Sequence, residues 1–318
     1  MSGAQREVAQ AMRTAAGEML AALDPDRRAQ AAYVADDPAR TRWAYQPRPR
    51  PGTSLLGLGE PARKAAHRLL ASAVSRPVLA QAVTIMALEE VLDVDEGGHR
   101  RRHSDDYWVA VFGDPTGDTW SWRFEGHHVS VTATVADDRV SIAPLFLGAN
   151  PARVHRREQL VLAPLSWEED LARTLVTGLD PALRASAIVD GVAPADILTG
   201  TDVRAPAVIE PLGVRAADLA GTSRDLLDRL LDVYLDRLTP GLAAQERERL
   251  ALDEVSFAWA GGVEPGDGHY YRIQGPDLII EYDNTQREAN HVHTVLRRPG
   301  ADFGADLLAA HLAGEVST

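Results

Sequence analysis

Glu281-Tyr282-Asp283-Asn284-Thr285-Gln286-Arg287-Glu288-Ala289-Asn290-His291-Val292-His293 is the stretch on which the reading of this chain turns. Leu278-Ile279-Ile280 before it has the apolar, β-branched character of a strand, and Val295-Leu296-Arg297 after it continues a second one. The polar middle, Asn284 to Asn290, reads as the loop of a hairpin. Side chains on a strand alternate faces, so His291 and His293 point the same way, with Cα atoms about 6.6 Å apart. Glu281 and Asp283 share a face of the preceding strand by the same rule. Two imidazoles and two carboxylates thus stand on adjacent rungs of a hairpin, as metal ligands and acid–base groups often do.

Outward from the hairpin, period-two patterning continues upstream. Val255 to Ala260 and Tyr270 to Gln274 precede it, giving a meander over about residues 255–297. A second meander occupies about residues 106–144: Tyr107 to Phe112, Thr119 to Glu125, His127 to Val135 and Arg139 to Ala143, with Gly113-Asp114-Pro115-Thr116-Gly117-Asp118 and Asp137-Asp138 as turns. Helical spacing fills the rest. It runs from Arg6 to Leu23, from Pro61 to Ser75, from Pro77 to Leu92, from Ser166 (a capping box with Glu169) to Leu179, and from Thr222 to Leu238. Further helices cover Pro240 to Leu252 and Gly304 to Leu312. The pattern predicts an α+β fold with antiparallel β-meanders packed against helices, in a single domain spanning 1–318. Residues 1–35 are expected as an appendage, with 36–160 and 161–318 as halves. The order of elements leaves open a pseudo-duplicated unit in which the meanders join, although no residue-level repeat is visible.

The earlier meander carries Glu125-Gly126-His127-His128-Val129-Ser130. In strict alternation His127 falls with Val129 and Val131, and His128 with Ser130 and Thr132, so one of the two is expected to complete a three-histidine set with His291 and His293. A bulge at Gly126 would shift that alternation, which keeps both open. Glu281 or Asp283 is the carboxylate ligand or general base, and His269 is a further acid–base candidate. Arg272 and Gln274 share a strand face suited to an anionic substrate, since the guanidinium fork matches a carboxylate. Tyr271, Asn284 and Asn290 join them as candidate substrate contacts. The alternative for Arg272 is an ion pair with Glu281 or Asp283, and for the whole set a hydrogen-bonded polar core bracing the hairpin.

Composition narrows the chemistry. The net charge of −13 opposes nucleic-acid binding through phosphates. Arg100-Arg101-Arg102 lies among acidic residues and reads as a solvated loop. The chain has no cysteine, which removes thiolate catalysis, disulfides, iron–sulfur clusters and cysteine zinc sites. Lys64 is the single lysine and has no evident partner for Schiff-base chemistry. No apolar run reaches the roughly 18 residues of a membrane span. The N-terminus lacks a signal-peptide pattern, so a cytoplasmic location is expected. Gly57-Leu58-Gly59 lacks the later glycine of a dinucleotide loop, so no nucleotide cofactor is expected.

Several runs together resemble the family catalogued as domain of unknown function 3500. They are Trp43-Ala44-Tyr45, Trp120-x-Trp122-Arg123-x-Glu125-Gly126-His127-His128-Val129-Ser130 and Phe146-x-Gly148-Ala149-Asn150-Pro151. With them go His269-Tyr270-Tyr271-Arg272-Ile273-Gln274-Gly275-Pro276, Ile280-Glu281-Tyr282-Asp283-Asn284-Thr285-Gln286, Asn290-His291-Val292-His293 and Asp302-Phe303-Gly304-x-Asp306-Leu307-Leu308. The resemblance runs from about Trp43 to His311 and implies one family-length domain. It brings no reaction with it. Val295 and Leu296 stand where a bulkier aromatic is expected.

The residues point to a metal-dependent enzyme acting on a small, anionic molecule. The leading expectation is an oxidoreductase with a mononuclear iron, copper or manganese centre. A hydrolase using a metal-bound water, with zinc as the alternative metal, and a metal-free small-molecule binding protein are the rivals.

Overall fold

The computed structural model describes residues 3–316. Two runs of four strands carry its main sheet. The first is β1 (Tyr107–Phe112), β2 (Thr119–Gly126), β3 (Val129–Ala136) and β4 (Arg139–Ala149). The second is β5 (Ser256–Gly261), β6 (His269–Gly275), β7 (Leu278–Gln286) and β8 (His291–Arg297). Each run is an antiparallel meander. The two join along β4 and β8, which pair from Val292↔Ala149 to Leu296↔Leu145. The sheet therefore reads β1-β2-β3-β4-β8-β7-β6-β5, with short strands at both margins. The fold is α+β, as the patterning predicts.

This sheet exposes a repeat that periodicity does not. Setting Trp122 on Tyr271 aligns Trp122-Arg123-Phe124-Glu125-Gly126 with Tyr271-Arg272-Ile273-Gln274-Gly275 and lays β1 on β5 residue for residue. The same alignment sets Phe146 on Val295, and these two are direct partners across β4 and β8. A pseudo-twofold axis passes through that pair. The entries match as well: helix Pro25–Ala31 delivers Ala32–Tyr33 parallel to β1, and helix Pro181–Ala187 delivers Ile188–Asp190 parallel to β5.

One sheet face is the apolar core. Trp120, Trp122, Phe124, Leu147, Ile273, Ile280 and Leu296 pack there against α1 (Gly3–Ala22), α2 (Glu60–Ala73), α3 (Arg76–Asp95), α4 (Ser166–Gly178) and α5 (Gly221–Leu235). Helix α1, which falls in the appendage expected over residues 1–35, is instead part of the core. Ala9, Met12, Ala16 and Met19 are wholly buried in this core, where α1 lies on α2. The continuous sheet likewise runs through both expected halves. Helix α4 opens without a side-chain cap, because Leu165 stands at the N-cap with Ser166 already helical, and Glu169 pairs with Arg153 and Arg173 instead.

The opposite face is polar and is covered by irregular chain. Arg123 donates to the carbonyls of Ala39 and Arg40, Arg272 to those of Ile209 and Pro211, and Arg297 to that of Asp202. Buried backbone without a ladder needs such partners. Trp43, Tyr45, Phe146, Ile197, Val295 and Phe303 form a small apolar cluster on this side.

Candidate metal centre

His127 and His128 are the two residues of the turn between β2 and β3, since Gly126 pairs directly with Val129. The expected third strand starts two residues later than His127, and strict alternation does not apply to the pair. His128 has φ of +66°, which turns its ring out of the strand plane and lays it against His127, with ring centroids 3.6 Å apart. Backbone contacts clamp this conformation. The His128 amide donates to the Tyr45 carbonyl at 3.2 Å, and its carbonyl accepts from the Gly148 amide at 2.7 Å. The Tyr107 hydroxyl donates to the His127 carbonyl.

His128, His291 and His293 converge, one donor atom of each lying within 4.8 Å of the others. His128 Nε2 and His291 Nε2 are 2.8 Å apart. His128 and His293 are buried, while His291 is partly open to solvent. One ion with metal–nitrogen bonds of about 2.1 Å holds its donors no more than about 4.2 Å apart, so modest ring rotations close this set on a single ion. Two of the three imidazoles, His128 and His291, are held toward the neutral form. Burial holds His128 well below the ordinary histidine value, with the neighbouring His127, His293 and His291 acting in the same direction. Burial likewise brings His291 to about 3, helped by His293 and His127. Neutral imidazole is the form that ligates a metal.

Around the triad stand its supports. His293 Nδ1 donates to Asp196 Oδ1 at 2.7 Å, which leaves Nε2 with its lone pair. Burial works to raise Asp196, but hydrogen bonds from His293, the Ile197 amide and the Tyr45 hydroxyl bring it below the usual carboxylate range. Asp196 also accepts from the Tyr45 hydroxyl at 3.1 Å, and Tyr45 lies edge-on to His293 and stacks on Phe146. Asp283 is the cross-strand partner of His293. Its Oδ1 accepts from the Thr285 amide and hydroxyl; its buried Oδ2 has no partner among the described residues. Burial raises Asp283 to about 6. On the far side of the turn His127 Nδ1 donates to Glu89 on α3, and Arg102 lies 3.4 Å from the same carboxylate.

The sequence candidates sort by sheet face. His127, His128, His291, His293 and Asp283 come together. Glu281 does not act as a ligand or base: both its oxygens are taken by the Leu198 and Thr199 amides, the Thr199 hydroxyl and the Tyr270 hydroxyl. It anchors the segment that carries Asp196. Arg272 is bound to loop carbonyls, and Gln274 exchanges two 3.1 Å hydrogen bonds with Ile209, so neither faces a substrate. His269 and Tyr271 lie on the core face. His269 stacks between Trp259 and Tyr282 and is pushed down to about 4 by burial; Tyr271 bonds Tyr234 and the Glu168 carbonyl. Asn284 accepts from the His269 amide, and Asn290 accepts from the Arg153 amide, both as backbone braces.

Sequence reasoning misses Glu89, Arg102, Tyr45, Gly148 and Asp196. Arg102 is not a solvated loop residue: it is buried against Glu89 and Glu96. Glu89 had a signal. It falls beside Ile85, Met86, Leu88 and Leu92 on the buried side of its helix, where an unpaired carboxylate would be costly. Asp196 had none, since it lies in a proline-punctuated loop far away in sequence.

No curated protein and no solved structure matches this chain. A family model matches residues 5–305, a span that includes the β2–β3 turn and the β7–β8 hairpin; the chain therefore belongs to the family described as protein of unknown function (DUF3500).

Proposed function

We propose that the chain is a metal-dependent enzyme in which His128, His291 and His293 hold one transition-metal ion. The observation that carries this reading is the convergence of three largely buried imidazoles, one of them backed by a carboxylate. At 2.8 Å the Nε2 atoms of His128 and His291 are placed either for an N–H···N bond between neutral rings or, with both lone pairs turned inward, for a shared cation, and the nearby His293 supplies that cation with a third nitrogen. An all-nitrogen protein donor set with open positions suits iron or copper as well as zinc; with a redox metal bound, the chain would be an oxidoreductase.

The unpartnered Oδ2 of Asp283 supports a second reading. A carboxyl poised near pH 6 beside the centre can take a proton from a metal-bound water, which is the chemistry of a hydrolase and fits zinc.

Elemental analysis decides between them. Protein purified without an affinity tag or chelator is expected to carry close to one equivalent of metal per chain. A His128→Ala/His291→Ala variant is expected to carry almost none. Iron, copper or manganese supports the redox reading and zinc the hydrolytic one. Absence of metal in wild-type protein, even after incubation with each ion, would leave the cluster as a polar core.

A further inference from the structure

We propose that Arg287 is the anion-binding arm of this centre, so that its substrate or co-substrate is a small carboxylate or similar oxyanion held between the metal and the guanidinium. The inference rests on the metal reading above and names the ligand class that goes with it.

The argument starts from register. Val292 pairs with Ala149 and His293 with Gly148. β4 ends at Ala149, and Asn150 is the next residue, at the end of the sheet where His291 begins β8. Arg287 Nη1 donates to Asn150 Oδ1 at 2.8 Å. Its guanidinium is thereby held at the end of β4, where the partly solvent-open His291 begins β8. Asn150 is its one acceptor among the described residues, so Nε and Nη2 keep their donors for a ligand. Arg272, the arginine expected for this task, has its charge engaged by loop carbonyls instead.

The backbone points the same way. Arg287, Glu288 and Ala289 have φ of 50°, 55° and 61°, three successive non-glycine residues in the left-handed region. That conformation is unfavourable and persists where surrounding contacts enforce it. Here the Asn290 amide bonds the Arg287 carbonyl, and Asn290 in turn accepts from the amides of Ala152 and Arg153. The loop is held rigidly while its arginine side chain remains exposed.

The test uses oxalate as probe on full-length protein loaded with Co(II), followed by visible spectroscopy, with metal content measured first. Oxalate is expected to perturb the wild-type spectrum. R287Q is expected to bind one equivalent of metal but to hold oxalate at least about tenfold more weakly, as loss of a charge-assisted contact predicts. R287K is expected to recover part of the affinity, because it restores a point charge without the fork. Azide, which needs only the metal, should bind all three alike. Equal oxalate affinity in wild type and R287Q overturns the proposal while the metal reading stands. If no metal loads, the metal reading fails by itself. Calorimetry of oxalate on the metal-free proteins then decides: heat lost in R287Q retains Arg287 as an anion site, and no heat in wild type discards it.

Discussion

A Cβ at position 148 would stand 2.8 Å from His128 Cδ2 and 2.7 Å from the Val292 carbonyl, so glycine alone lets the imidazoles lie across β4. Gly148→Ala is expected to displace His128, lower metal content severalfold and destabilise the protein by about 1–3 kcal/mol, the usual cost of overpacking. Metal analysis alongside urea unfolding checks it; unchanged metal content would mean that the rings do not need this floor. The residue scale also shows how far side-chain identity could be read in advance. His291 and His293 were legible because alternation on a strand is a local rule. His127 and His128 were not assignable, because a tight turn suspends that rule, and the turn is recognised only when Gly126 is seen to pair with Val129.

At the scale of elements, Glu281 ties the sheet to the segment over it. Removing a buried carboxylate that accepts from Leu198, Thr199 and Tyr270 strands several donors at once. Glu281→Ala is expected to cost about 3 kcal/mol and to open residues 190–214 to limited proteolysis. Because Asp196 sits on this segment, metal affinity should fall as well, although Glu281 touches no ligand. Proteolysis confined to other regions would refute this anchoring role. Strand existence and the hairpin were readable from composition and period. Which carboxylate anchors and which stays unpaired was not, since Glu281 and Asp283 share a face and differ only in what the distant loop brings to them.

For the whole molecule, pH dependence follows from the buried histidines. A histidine with a depressed folded-state pKa is neutral in the fold, whereas the unfolded chain protonates it below about pH 6.5. His291, brought to about 3, and His269, brought to about 4, therefore contribute stability that is present above pH 6.5 and lost as pH falls toward those values, and His128 adds to the trend. Asp283 acts in the opposite sense. Its raised value near 6 stabilises the fold as pH drops from there toward 3.8, offsetting about one proton. The balance predicts that metal-free protein loses stability between pH 6.5 and 4.5, with each excess proton worth about 1.4 kcal/mol per pH unit. Urea midpoints across that range should decline in wild type and less steeply in His291→Gln. Equal slopes would show that His291 is not held neutral.

The sequence by itself determined the fold class, the two meanders, the hairpin with its paired imidazoles and the exclusion of cysteine chemistry. All of these rest on period, turn residues and composition, which are local properties. Tertiary structure alone decided that the meanders join at Phe146 and Val295, that Arg272 and Glu281 are consumed by loops, and that Glu89 and Asp196 stand behind the histidines. Those outcomes depend on contacts between residues far apart in the chain. Periodicity says which way a side chain faces; what meets it there is set by how the rest of the chain packs over that face.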